Sequence, residues 1–101
     1  MRTVRYFKRR WDESRGDQYD SWGASTWYFE VGDDGYAVRQ LDQYDGGAIL
    51  KFDETHVDDE FGALGEKPLD LEDFAPFETD QTTFENAWTS MVARNRPHDA
   101  G

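Results

Sequence analysis

Apolar and polar positions alternate along several stretches of this chain, and near its end they recur at helical spacing. Residues 25–31, Ser-Thr-Trp-Tyr-Phe-Glu-Val, are aromatic and β-branched and hold no breaker, so they predict a strand. Residues 36–44 and 48–53 predict two more. Gly32-Asp33-Asp34-Gly35 and Asp45-Gly46-Gly47 are the turns between them. The three strands form an antiparallel meander. A four-residue first turn sets Val31 opposite Tyr36, Phe29 opposite Val38 and Trp27 opposite Gln40, an almost wholly apolar face. The other face carries Glu30, Ala37, Tyr28, Arg39, Thr26 and Leu41, with Tyr28 directly opposed to Arg39. At the second turn, a three-residue loop with a left-handed glycine puts Leu50 and Phe52 on the apolar face. A two-residue loop puts Lys51 there instead and adds only an Asp42–Lys51 pair. Burial favours the three-residue loop.

Residues 3–11 predict a further strand, and their arginines suggest an edge position. Residues 12–24 form a long loop, rich in Gly, Ser and Asp, that carries Tyr19 and Trp22. The stretch 54–76 is acidic and irregular. It holds a single helical turn near 58–65, then an extended or turned segment pinned by Leu69, Leu71, Phe74 and Phe77. Asp80 can cap a helix in which Phe84, Ala87, Trp88, Met91 and Val92 share one stripe. Arg94 and Arg96 suit the dipole at its end, and Pro97 stops it. The stripe is expected to lie on the apolar face of the sheet. The fold class is therefore α+β: one small domain over 1–96, a four-stranded, mainly antiparallel sheet with a C-terminal helix on one face. A flexible tail follows over 97–101.

Composition narrows the function classes. A chain of 101 residues with sixteen aromatics supports one core. No cysteine is present, which excludes disulfides, thiol catalysis and cysteine-based metal sites. Without an apolar leader or a long apolar run, a soluble cytoplasmic protein is expected, with no membrane contact. The net charge is −11 and unevenly placed. Residues 1–15 hold six basic residues against Asp12 and Glu13, whereas 53–80 holds eleven acids and one base, Lys67. Such a surface repels phosphate backbones and favours a basic protein partner. The N-terminal arginines and their interleaved aromatics could form a nucleic-acid stripe, but the acidic remainder supplies internal partners for them.

Candidate chemistry is sparse. Asp53, Glu54, His56, Asp58, Asp59 and Glu60 cluster hard ligands, but without the spacing of a calcium loop, so no metal or other cofactor is expected. Ser14, Ser21, Ser25 and Ser90 lie in no nucleophile motif, and no glycine loop precedes a helix to cradle phosphate. Two groups stand out as binding candidates. Tyr28, Glu30 and Arg39 could form a small polar site if their face is open. Asp17, Tyr19, Asp20 and Trp22 could anchor an interface from the long loop, although Tyr19 and Trp22 could equally plug the end of the core.

A resemblance adds context. The run Trp11-Asp12-Glu13, then Trp22-Gly23, Trp27-Tyr28-Phe29-Glu30-Val31, Asp34-Gly35-Tyr36, Val38-Arg39-Gln40, Tyr44, Asp58-Asp59-Glu60-Phe61-Gly62 and Phe84-Glu85-x-x-Trp88 is similar to a family of small acidic actinomycete-type bacterial proteins known only as hypothetical. The similarity spans nearly the whole chain. It departs at Gly46-Gly47, where Asn-Gly is expected, and at the helix start, where threonines replace glutamates. It implies a bacterial, cytoplasmic, single-domain protein and no activity. Three functions follow as expectations. The first is a non-enzymatic protein-binding module, such as an immunity or antitoxin-like inhibitor of a basic partner, acting as a monomer or weak homodimer. The second is a small-molecule-binding domain or minor enzyme using the Tyr28, Glu30 and Arg39 face. The third is a DNA mimic.

Overall fold

The computed structural model describes residues 4–65 and 67–93. The meander forms β2 (Ser25–Val31), β3 (Ala37–Tyr44) and β4 (Ile49–Asp53), joined by β1 (Arg5–Trp11) beside β2. A fifth strand extends the expected four. The two residues Glu78–Thr79 pair with Tyr6 and Phe7, so β1 is flanked on both sides over those residues. We number the 58–59 and 62–63 pair β5 and β6, and Glu78–Thr79 β7; the main sheet runs β4-β3-β2-β1-β7. Its neighbouring strands are antiparallel throughout. The expected helical turn near 58–65 is instead the β5–β6 hairpin, because Asp59 accepts from the Phe61 amide at 2.8 Å and closes a tight turn.

The register of β2 against β3 differs from expectation. Val38 is an extra residue on β3, between Val31↔Ala37 and Glu30↔Arg39. The bulge turns Ala37 into the core, and the net offset of two residues keeps Arg39 and Leu41 on their expected face. Glu30, rather than Tyr28, therefore stands opposite Arg39, and Tyr28 pairs with Leu41. The second turn is the three-residue loop. Tyr44 and Ala48 close it, Gly47 takes φ +106°, and Leu50 and Phe52 are fully buried in the core.

Two apolar layers cover the sheet. Phe7, Phe29, Val31, Leu50 and Phe52 lie on one face beneath Trp22, Phe61, Leu64, Leu69, Leu71 and Phe74. These come from the long loop, the hairpin and a single turn, α1 (Leu71–Phe74), which Asp70 caps. Phe77 follows in a 3-10 turn, more than a third exposed. The helix α2 (Gln81–Ser90) packs on the opposite face, where Phe84 and Ala87 meet Tyr28 and Leu41. This corrects the expected placement. The irregular segment supplies enough apolar surface to close the Trp27–Phe29–Val31 face. The mixed face is left for the helix, and Arg39 there is neutralised by Glu30 and Glu85.

Asp80 caps α2 as expected, accepting from the Thr83 amide at 2.8 Å. The helix ends at Ser90, earlier than expected. Met91 is extended, and the buried Lys51 ammonium donates to the Trp88 carbonyl in the last turn at 2.5 Å. Val92 leaves the stripe and is exposed. Arg94, Arg96, Pro97 and the expected tail lie outside the described residues.

The long loop is fastened to the β3–β4 turn. Asp45 N donates to Ala24 O, and Gly46 N donates to Trp22 O, each at 2.9 Å. A Cβ on Gly46 would lie 3.0 Å from that Trp22 oxygen. Gly46→Ala is therefore expected to cost roughly 1–3 kcal/mol through forced backbone movement. An unchanged urea midpoint would mean that the turn yields freely.

Candidate functional site

The binding candidates drawn from the sequence fall at two separate places. Arg39 makes a bidentate pair with Glu30, 2.8 Å to each oxygen, and its Nη2 lies 2.6 Å from Glu85. The guanidinium also sits over the rings of Phe84 and Trp88 at 4.8 and 5.1 Å. Tyr6 donates to Glu30 at 3.0 Å, and Tyr28 is buried against α2. The Tyr28, Glu30 and Arg39 group is thus a packing and hydrogen-bond unit beneath a helix, and a small-molecule site there would need that helix to lift.

The loop candidates serve one another. Asp20 accepts from Ser14 Oγ and from the Gly16 amide, which holds its carboxyl below the ordinary range. Asp17 accepts from Arg15 Nε and the Tyr19 amide. Tyr19 stacks on Trp22 at 4.4 Å, and Trp22 packs on Tyr44 at 5.1 Å. Trp22 and Tyr19 therefore do close the end of the core. Their rings also pack against Arg15 and Tyr44, two residues that line a cleft.

That cleft lies on the sheet face opposite α2. Two recesses of about 310 and 220 Å³ share Arg15, Trp27 and Tyr44. The outer one is completed by Trp11, Glu13, Ser14 and Ser25. The inner one is floored by Asp42 and walled by Phe61, Gly62 and Ala63. Strand alternation puts Gln40, Asp42 and Tyr44 on this side, and the register sets Asp42 between Trp27 on β2 and Leu50 on β4. A carboxylate is thereby carried into an apolar layer, with only 3% of the residue exposed.

The polar partners of Asp42 are few and fixed. Gln40 Nε2 donates to both of its oxygens, at 3.1 and 3.3 Å. Gln40 is itself oriented by the Gly65 amide, which donates to its Oε1 at 3.2 Å. Desolvation pushes the Asp42 carboxyl up to about 7, against the opposing pull of the Gln40 hydrogen bond and the Arg15 charge. Burial, with the Asp42 charge beside it, also raises the Tyr44 hydroxyl. Arg15 donates to Tyr44 Oη at 3.4 Å and lies over the rings of Tyr19, Trp22 and Tyr44.

No family model, curated protein or solved structure matches this chain. The site therefore rests on its geometry alone. The floor can accept hydrogen bonds from a donor, or exchange a proton near neutrality, against aromatic walls. Among the described residues no group of three or more His, Asp or Glu side chains is placed to hold a metal ion. In the acidic stretch, His56 Nε2 bonds Asp59 at 2.7 Å, and Asp53 accepts from the Thr55 amide and hydroxyl. No described helix is long and apolar enough to cross a membrane.

Asp42, Arg15, Tyr44 and Trp27 were missed as a site by reasoning from motifs. A signal was nonetheless present. Once Leu50 and Phe52 are set inward by the three-residue turn, Asp42 must face the same layer, and an ionisable residue at a core position marks a functional candidate.

Proposed function

We propose that this protein is a non-enzymatic binding module whose acidic exterior engages a basic protein, in the manner of an immunity or antitoxin-like inhibitor. The observation that carries this reading is how the charges are sorted. All five described arginines are held by carboxylates: Arg5 by Glu78, Arg9 by Asp73, Arg10 by Asp12 and Asp45, Arg15 by Asp17, and Arg39 by Glu30 and Glu85. Fifteen of the twenty described acidic residues are exposed, against three of the eight described basic ones, so the exposed charge of the described residues is strongly negative. Arg5, Arg9, Arg10 and Arg15, tied up in these pairs, offer little to a phosphate backbone. A negative exterior draws in a positive partner and speeds the encounter, and added salt screens both effects.

The body measures 39 × 32 × 23 Å, without the elongation on which a long line of phosphate-like carboxylates would be laid out, and this favours the basic-protein reading over DNA mimicry. The test is affinity capture from a lysate of the source organism, washed at low and at high salt, followed by titration of whatever is retained. A basic protein held at low salt and released at high salt is expected. No retained protein, or an affinity flat with salt, would overturn the reading.

A further inference from the structure

We propose that the cleft floored by Asp42 receives an arginine side chain of the basic partner, with the guanidinium donating to the Asp42 carboxylate against the rings of Trp27 and Phe61. This inference rests on the partner reading above and names the contact that would anchor it.

Four observations lead there. First, the floor is an acceptor: Gln40 is the only side-chain donor bonded to Asp42 among those described, and it reaches both oxygens at long range. A ligand that brings several N–H donors matches a carboxylate of this kind. Second, the inner recess of about 220 Å³ is lined by Trp27, Tyr44 and Phe61. Aromatic faces attract cations, and a planar, weakly hydrated guanidinium gains most from stacking on them. Third, two carboxylates, Glu13 on the outer recess and Asp17 paired to Arg15, stand against the single Arg15 cation at the mouth. The positive charge of Arg15 is met by Asp17 and clad by three rings, which limits its repulsion of a second cation. Fourth, the buried carboxylate destabilises the fold when charged. A cation seated on it would relieve that cost in the complex and so favour binding.

Protonation offers an internal check. The other ionisable groups facing Asp42 are Arg15 and Tyr44. The positions opposite it on β2 and β4 are Trp27 and Leu50, and the hairpin presents Phe61, Gly62 and Ala63. Arg15 and Tyr44 are both raised above their ordinary values and keep their charge state near neutrality. Of these three groups only Asp42, pushed up to about 7, changes charge between pH 6 and 8.

The experiment titrates the intact protein with N-acetyl-arginine amide and, separately, with the neutral isostere N-acetyl-citrulline amide, following amide and tryptophan indole resonances. The arginine probe is expected to shift signals of Trp27, Asp42 and Phe61. It should bind at least about tenfold more tightly than the citrulline probe, and about tenfold more tightly at pH 8 than at pH 6, the change in ionised fraction for a group at about 7. Asp42→Asn, expected to fold at least as well as the parent, should lose both the preference and the pH dependence. Absence of cleft shifts, equal binding of the two probes, or unchanged binding by D42N would each overturn the inference. A partner captured equally well by D42N would leave the partner reading standing while removing this anchor from it.

Discussion

Phe84→Ala is expected to lower stability by about 3–5 kcal/mol, the range for emptying a fully buried aromatic site. Phe84 has no exposed surface and lies at the centre of the contact between α2 and the sheet. Its ring meets Tyr6 at 5.4 Å and Trp88 at 5.9 Å, and Arg39 sits 4.8 Å above it. Removing it opens a cavity above the Glu30–Arg39 pair and admits water to charges whose geometry depends on that cover. A ten-residue helix has little stability of its own, so loosening this anchor should detach α2 as a unit. Urea unfolding followed by tryptophan fluorescence checks this. A loss below about 1 kcal/mol would mean that α2 contributes little to the fold.

Asp42→Asn is expected to act in the opposite direction. Burial pushes the Asp42 carboxyl up to about 7, whereas in the unfolded chain it titrates near 3.8. Between these values the folded protein holds a proton that the unfolded chain has released. Stability therefore falls as pH rises through this window, and the full cost is present above about 7. The gap between the two values corresponds to about 4 kcal/mol. Asparagine keeps the shape and an acceptor for Gln40 without the charge, so D42N should be about 2–4 kcal/mol more stable than the parent near pH 8 and nearly equal to it near pH 4. The lowered carboxyls of Asp45, Glu78 and Asp80 work the other way, stabilising above the ordinary carboxylate range and losing that contribution on acidification. They are common to both proteins, so the difference between the two pH profiles isolates Asp42. Parallel profiles would mean that water reaches the floor of the cleft. A residue that weakens its own fold at neutral pH is most simply understood through what it binds.

The four long strands, β1 to β4, and the start of the helix were legible because local signals there agree. Ser25–Val31 has no breaker, the two glycines after Asp45 permit one turn length that buries Leu50 and Phe52, and Asp80 sits one position before its helix. The errors trace to information that is not local. The bulge at Val38 has no glycine or proline to announce it, yet it moves Arg39 from Tyr28 to Glu30. The side on which α2 docks was decided by the irregular 61–77 segment, whose apolar residues show no period. The same docking turned Tyr28, Glu30 and Arg39 from a candidate site into packing. The cleft drew its residues from β1, the long loop, β2, β3 and the hairpin, a grouping that only the fold creates. Within it, Asp42 was the one member the alternation could have exposed.

A carbon-13 titration of the Asp42 carboxyl group tests most directly whether this residue is a buried acceptor made for a cation. The midpoint should fall at about 7 in the free protein, and saturating N-acetyl-arginine amide should move it downward, because a bound cation favours the charged form. A midpoint in the ordinary carboxylate range near 4, or one that the arginine probe leaves in place, would contradict that role.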